Sequence, residues 1–401
     1  MSVTELDDFR QETRAWLSKN CPPGARGPGE VHTGSTKVTI TNPDVQLWME
    51  RMAERGWTVP MWPEAYGGGG LDIAQTRVLY EEMAALDARP PLLNMGTRML
   101  GPTLLEYGTE DQKRRHLTTI AQGGAAWCQG YSEPGAGSDL ASLRARADDH
   151  GDHFLINGQK IWTSGAQNAD WMFALVRSDP DAPKHQGISF VLLAMDQPGV
   201  TVRPIELISG SSPFCETFLD NAVARKEDLV GELNDGWTVG KRLLQHERSG
   251  QGGLSPVSAR PRPVGVTVDT EPCEAAMQYI GTQNGRIADP EVRSEVVTWQ
   301  MNSAAYTLTQ RRAGQENDSG GTPAEATSIF KMYGATLAQD RQELLIQLMG
   351  TQGIGWQGDT FTETELGATR SWLASKAVTI YGGTNEVQAN IIAKRVLGLP
   401  D

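Results

Sequence analysis

The hydrophobic residues of this chain change period twice, and those two changes limit it to a few fold classes. Leu6, Phe9, Trp16 and Leu17 fall on one helical face, and the stretches from Leu47 to Ala53 and from Thr76 to Leu86 keep that spacing, with glycine and proline between them. After about Gly123 the period drops to two. Trp171, Phe173 and Leu175 alternate with their neighbours, as do Ile188, Phe190 and Leu192, and Asn157-Gly158 reads as a hairpin turn. From Gly236 helical spacing returns in Ile329, Met332, Tyr333, Leu337, Leu344, Leu345 and Leu348, and Thr384 is suited to cap a last helix through Ile391 and Ile392. The expected fold class is α+β, with domains at 1–123, 124–234 and 235–401. A chain of 401 residues exceeds what one core usually serves, in keeping with that division. Ser249 to Pro272 and Gly314 to Pro323 read as exposed loops, and there is no internal repeat.

Charge and cysteine usage exclude several classes of function. A net charge of −13 without a dense Lys/Arg run argues against a nucleic-acid surface. Cys21, Cys128, Cys215 and Cys273 show no close pairing, so the reading is buried fillers in a reducing compartment, with neither disulfides nor a zinc site. His150 and His153 flank a glycine-containing turn without companion ligands, and no metal site is expected. The acidic N-terminus from Met1 to Asp8 lacks the basic start and apolar run of a signal peptide, and no stretch is long enough to span a bilayer, so a cytoplasmic location without membrane insertion is expected.

Two segments carry the chemistry. Tyr131-Ser132-Glu133-Pro134-Gly135-Ala136-Gly137-Ser138-Asp139 and Asn157-Gly158-Gln159-Lys160-Ile161-Trp162-Thr163-Ser164 combine small residues, hydroxyls and an indole. Small residues let backbone N–H groups approach a planar ring or a phosphate, and Trp162 supplies an apolar face beside Ser132, Ser138 and Ser164. Such a wall suits a flavin. Gly135 to Asp139 is not a Rossmann fingerprint, because Leu140 takes the place of its final glycine and the strand-turn-helix context is missing.

With the α, β, α order, these segments resemble the acyl-coenzyme A dehydrogenase family over nearly the whole chain. Four further blocks agree: Gly56-Trp57-Thr58-Val59-Pro60-Met61-Trp62-Pro63 through Gly68, Tyr107-Gly108-Thr109-Glu110-Asp111-Gln112-Lys113, Gln347 to Gly353, and Tyr381 to Glu386. The resemblance implies an N-terminal helical domain, a central β-barrel domain and a C-terminal four-helix bundle. It also implies non-covalent FAD, an acyl-CoA substrate oxidised between its α and β carbons, and electron-transferring flavoprotein as acceptor. The assembly it implies is a homotetramer or a heterotetramer with a related subunit. Carried over residue by residue, Gln129, Tyr131, Ser132, Gly137, Ser138, Trp162, Thr163, Ser164, Gln347, Gly350, Thr351, Thr384 and Glu386 would hold the flavin. Ser138, Arg248, Gly382 and Gly383 would meet the substrate.

The chemistry needs a carboxylate for the α proton, a hydride acceptor and hydrogen bonds to the thioester oxygen. In many family members the base follows the tyrosine of the late turn, where this chain has Gly382. In other branches it sits on the first long helix after the β domain, and Glu247 occupies that place. Independently of the family, Gly240, Leu243, Leu244 and Glu247 follow the spacing of one helical face, and an inward carboxylate is pushed toward a working base by desolvation. The bland alternative is a structural acid paired with Arg248 or another cation. The family's arginine-phenylalanine-glycine element is absent near Gln283-Asn284-Gly285-Arg286-Ile287, so a related partner chain is expected to supply that flavin contact. Two other readings stay open on sequence: a non-catalytic structural subunit of a mixed assembly, and an oxidase that uses oxygen directly.

Overall fold

The computed structural model describes residues 3–249, 271–318 and 327–400. The chain divides into two compact units, Met1–Ile205 with Pro213–Arg260, and Glu206–Ser212 with Pro261–Asp401. Helices come first, a β domain follows, and helices close the chain.

In the first unit, helices α1 (Val3–Asn20), α2 (Pro43–Glu54) and α3 (Ile73–Ala85) pack around Leu17, Trp48, Met52, Trp57, Leu79 and Met83, all buried. The last two helices begin where local chemistry favours it: for α2 the Asn42 side chain accepts from the Asp44 amide, and for α3 Asp72 and Gln75 form a capping box. α1 and α3 are joined by an ionic clamp. The Glu82 carboxylate, 5% exposed, accepts from Arg10 at 3.0 Å and from Arg14 at 2.7 and 3.0 Å. The hydrogen bonds from Arg14 hold this carboxyl below its ordinary range against the opposing effect of burial. A depressed carboxyl stabilises the fold above the unfolded value and loses that contribution as the pH falls through the folded one. Thermal melts of Glu82→Gln are therefore expected to show a loss of about 1–2 kcal/mol near neutral pH, limited by the solvent-facing arginines. The gap from the parent should close in acid; a gap independent of pH would contradict the clamp.

Helices α4 (Gly101–Tyr107), α5 (Glu110–Gln112) and α6 (Thr118–Ala121) lead to the sheet, the last two flanking a π turn at Lys113–Leu117. The eight strands are β1 (Trp127–Gly130), β2 (Arg146–Asp149), β3 (His153–Ser164), β4 (Trp171–Arg177), β5 (Ile188–Ala194), β6 (Val200–Ile205), β7 (Phe214–Arg225) and β8 (Leu229–Val230). They run in the order β6-β7-β3-β2-β4-β5-β8, with β1 parallel to β4. The two-residue period appears as two cores on opposite faces. Phe173, Leu175, Ile188, Phe190 and Leu192 join the cluster beneath the helices, while Met172, Ala174, Val176, Val191 and Leu193 build a second one with Phe154 and Ile156. Helix α7 (Gly236–Ser249) packs in this unit on β5 and α4.

The structure corrects the expected hairpin at Asn157-Gly158. Both residues lie inside β3, and β2 turns into β3 at His150 to Asp152, where the His150 amide donates to the His153 carbonyl. Gly158 instead faces an irregularity: its φ of +154° and a would-be Cβ only 2.7 Å from the Ala145 Cα require glycine, and the β3–β7 ladder slips beside it. Asn157 holds the slip in place by hydrogen bonds to Asn221, which is itself left-handed at φ 55°.

The second unit contains α8 (Pro272–Tyr279), a short hairpin of β9 (Thr282–Gln283) and β10 (Arg286–Ile287), α9 (Pro290–Asp318), α10 (Thr327–Met349), α11 (Glu363–Ser375) and α12 (Asn385–Ile391). Its core gathers Ala275, Ala276, Val296, Leu344, Leu345 and Leu348. Thr384 caps α12, its hydroxyl accepting from the Val387 amide at 3.2 Å. The expected loop from Gly314 is helical as far as Asp318, since α9 runs on through it; residues 319–326 lie outside the described residues. Of the expected loop Ser249–Pro272, Ser249 ends α7, Pro272 opens α8, and 250–270 lie outside the described residues. Among the described residues no helix is long and apolar enough to cross a membrane.

Candidate functional site

In the first unit, the two glycine- and serine-bearing segments lie side by side. β1 ends at Gly130, and the Ile161 amide of β3 donates to the Ser132 carbonyl at 2.9 Å. Reciprocal backbone bonds of 3.0 Å between Glu133 and Ala136 close the loop tightly. A Cβ on Gly135 or Gly137 would meet nothing within 4 Å, so this side of the loop is open, with Ser138 exposed on it. Trp162 stands beside the loop. Between Lys160 and Thr163, β3 spends one more residue than β7, and Trp162 takes φ 60° there, a conformation costly for an aromatic residue. The bulge turns its indole outward, 51% exposed, with an edge contact to Phe214. Ser164 follows, half-buried. Thr163 faces the opposite way: its buried hydroxyl bonds the Cys215 carbonyl at 2.9 Å and the Thr217 hydroxyl at 2.8 Å, which leaves only its backbone for a ligand. The Gln129 amide nitrogen is buried and has no hydrogen-bond partner among the described residues.

Two residues outside the expected set hold this wall. Lys160 is fully buried, and its ammonium donates to Glu133 Oε1 at 2.8 Å, the Leu175 carbonyl at 2.7 Å and the Tyr131 carbonyl at 3.3 Å. Glu133 in turn accepts from the amides of Arg144 at 2.6 Å and Ala145 at 2.9 Å. The pair thus ties the loop, β3 and β4 to one point. Burial pushes the Lys160 amine below the ordinary lysine range, with Glu133 opposing it. Counting by two from the inward Phe154 and Ile156 lands on Lys160, the signal that could have found it.

The wall is also linked to α7. Tyr131, buried between Phe173 and Phe190, donates its hydroxyl to the Gly240 carbonyl at 3.5 Å. A Cβ at Gly240 would sit 3.1 Å from the Leu175 methyls and 3.4 Å from that hydroxyl, so the helix approaches this closely only with glycine there. Farther along, Glu106 of α4 accepts two bonds of 2.7 Å from Arg242 and lies 3.2 Å from His246. Val239 and Leu243 are buried, and Glu247 follows Leu243 by four residues within the same helix. The side chains of Glu247 and Arg248 lie outside the described residues.

In the second unit the remaining expected residues form two exposed turns. Gln347, near the end of α10, Gly350 at φ 56° and Thr351 are exposed together, and the Thr369 hydroxyl secures this turn through the Gly353 carbonyl at 2.8 Å. Tyr381 is 56% exposed, and Gly382 and Gly383 follow with φ 66° and 90°. Thr384 and Glu386 open α12; the backbone N–H of Glu386 and the Thr384 hydroxyl keep the Glu386 carboxyl below its ordinary range. Residues Gln283 to Ile287 form the β9–β10 hairpin, with Asn284 and Gly285 both left-handed at its tip.

Comparison with known proteins matches this chain throughout. Family models described as acyl-CoA dehydrogenase N-terminal, middle and C-terminal domains match residues 4–124, 128–222 and 234–397. Acyl-CoA dehydrogenase IpdE1 of Mycobacterium tuberculosis (strain ATCC 25618 / H37Rv) is 36% identical over 408 residues, covering 99% of each chain. The solved structure named Tcur3481-Tcur3483 steroid ACAD aligns with TM-score 0.75 and 29% identity over 100% of this chain and 99% of that one. The ChsE4-ChsE5 complex from Mycobacterium tuberculosis gives 0.72 and 27% over 100% and 99%.

Proposed function

This chain belongs to the acyl-CoA dehydrogenase family of FAD-binding oxidoreductases acting on CH–CH bonds, and from that premise we propose that it oxidises a coenzyme A thioester with a bulky, steroid-like acyl group to the 2-enoyl-CoA, with Glu247 as the base. The observation that carries the reading is the wall formed by the 131–138 loop and the bulged Trp162. The residues fit a flavin. An indole held outward at φ 60°, an open glycine edge and an unpartnered buried Gln129 amide offer a ring face, close backbone approach and a spare donor. Gln129, Tyr131, Ser132, Gly137, Ser138, Trp162, the Thr163 backbone and Ser164 would hold the ring. Thr384 and Glu386 would also hold flavin, and Gln347, Gly350 and Thr351 would meet the flavin nucleotide of a neighbouring subunit. When bound, FAD accepts the β hydrogen as hydride and passes electrons to an electron-transferring flavoprotein.

This chain's own work is to hold the substrate and move the proton. α7 carries Glu247 seven residues beyond the glycine whose carbonyl Tyr131 contacts, so the base-bearing helix and the flavin wall share an anchor. Glu106 fixes the turn before the base through Arg242 and His246. By the family resemblance, Ser138, Arg248, Gly382 and Gly383 would meet the substrate. We place domain boundaries at 1–123, 124–234 and 235–401 and the protein in the cytoplasm. The assembly is a tetramer, with a related second subunit favoured by the two-protein names of the steroid ACAD and ChsE4-ChsE5 neighbours and by the hairpin where the arginine element is missing. Gly382 and the missing arginine element favour the second reading, a non-catalytic subunit beside an active partner.

The test is anaerobic mixing of the yellow protein, alone or co-expressed with a related subunit, with a steroid-propanoyl-CoA. The expected result is bleaching of the flavin band, with native mass giving the flavin count per chain. Flavin that stays oxidised with every thioester tried would refute the reading.

A further inference from the structure

We propose that Lys331 recognises a carboxylate on the acyl group, so that the preferred substrate is a thioester whose acyl part carries a second, free acid. The inference rests on the reading that the Tyr381–Glu386 turn meets the thioester. Lys331 lies on α10, and its Cε is 4.0 Å from where a Cβ on Gly382 would stand. Its ammonium nitrogen is shielded from solvent and has no hydrogen-bond partner among the described residues. A desolvated cation without a partner is costly, and proteins keep such groups where a ligand completes them. Burial lowers the Lys331 amine below the ordinary lysine range, and the Glu386 carboxylate opposes that shift. Glu386, however, is already engaged by its own N–H and by Thr384.

The turn around Lys331 is built to leave room. Gly382 and Gly383 bring no side chains, and the buried Gln388 supports them from the other side: its amide donates to the Gly382 carbonyl at 3.3 Å, and its nitrogen is 2.5 Å from a would-be Cβ on Gly383. The turn is therefore held from behind and unfilled beside the lysine. A carboxylate entering there gains a charge-assisted bond without displacing any existing partner of Lys331.

Matched thioesters test this: cyclohexylpropanoyl-CoA against its 4-carboxy counterpart, and hexanoyl-CoA against adipyl-CoA, each by anaerobic flavin reduction and by calorimetric binding. The parent should prefer the carboxylated member of a pair by about 10–100-fold, and Lys331→Met and Lys331→Gln should each abolish that preference. Because the ammonium has no hydrogen bond to lose among the described residues, only its charge interaction with Glu386, both variants should melt close to the parent and keep their flavin. Bleaching without preference, or a preference that survives both substitutions, overturns the role of Lys331 and leaves the thioester reading standing. Failure of every thioester to bind or bleach overturns that reading and this inference with it.

Discussion

Replacing Glu247 by glutamine is expected to leave the protein yellow and to slow flavin reduction by acyl-CoA about 10²–10⁴-fold, the range that a positioned general base contributes. The amide preserves shape and helix propensity but cannot accept the α proton. Thioester binding should change little, because the lost interaction belongs to the transition state. None of the residues that form the flavin wall is altered, so colour and native mass serve as internal controls. Two features make α7 a suitable carrier. Its approach to the sheet is fixed by the glycine at 240, and its last turns are fixed by Glu106. A non-catalytic subunit predicts no effect of this substitution on the rate measured for the whole assembly.

The second large effect lies in the wall. Lys160→Met removes the fully buried member of a buried ion pair and leaves Glu133 charged without a counter-ion, which costs about 3–5 kcal/mol. Chemical denaturation should show that loss. The double variant Lys160→Met/Glu133→Gln should recover most of it, because glutamine still accepts one backbone amide bond and carries no charge. The single variant should also lose flavin before it loses secondary structure, since the pair joins the 131–138 loop to the strand bearing Trp162. A loss additive over the two sites would mean that the pair is not coupled.

How much of this was legible depended on whether a signal was local. The two-residue period in Trp171 to Leu175 and Ile188 to Leu192 placed the strands, and it reappears as separate cores on the two faces. The Thr384 cap was equally local. Two Asn-Gly dipeptides show the limit. Asn284-Gly285 is a true hairpin tip, whereas Asn157-Gly158 lies inside a strand, because left-handed freedom serves a slipped ladder as well as a turn and only the partner strand decides between them. The wall segments were visible by composition, but the forces that shape them were not. Glu133 and Lys160 stand 27 positions apart, and the Thr163 hydroxyl turns away from the ligand side only because of the bulge before it. Lys331 was illegible for the same reason: its importance depends on what it lacks in space, beside a glycine 51 residues later.

The most direct test of Glu247 as the base is hydrogen exchange at the α carbon of a 3-thia acyl-CoA, which binds but cannot be dehydrogenated, followed by mass spectrometry in D2O with the flavin-bound protein. The parent should introduce deuterium at the α position, and Glu247→Gln should bind the analogue yet leave it unlabelled. Exchange at the parental rate in that variant would place the base elsewhere.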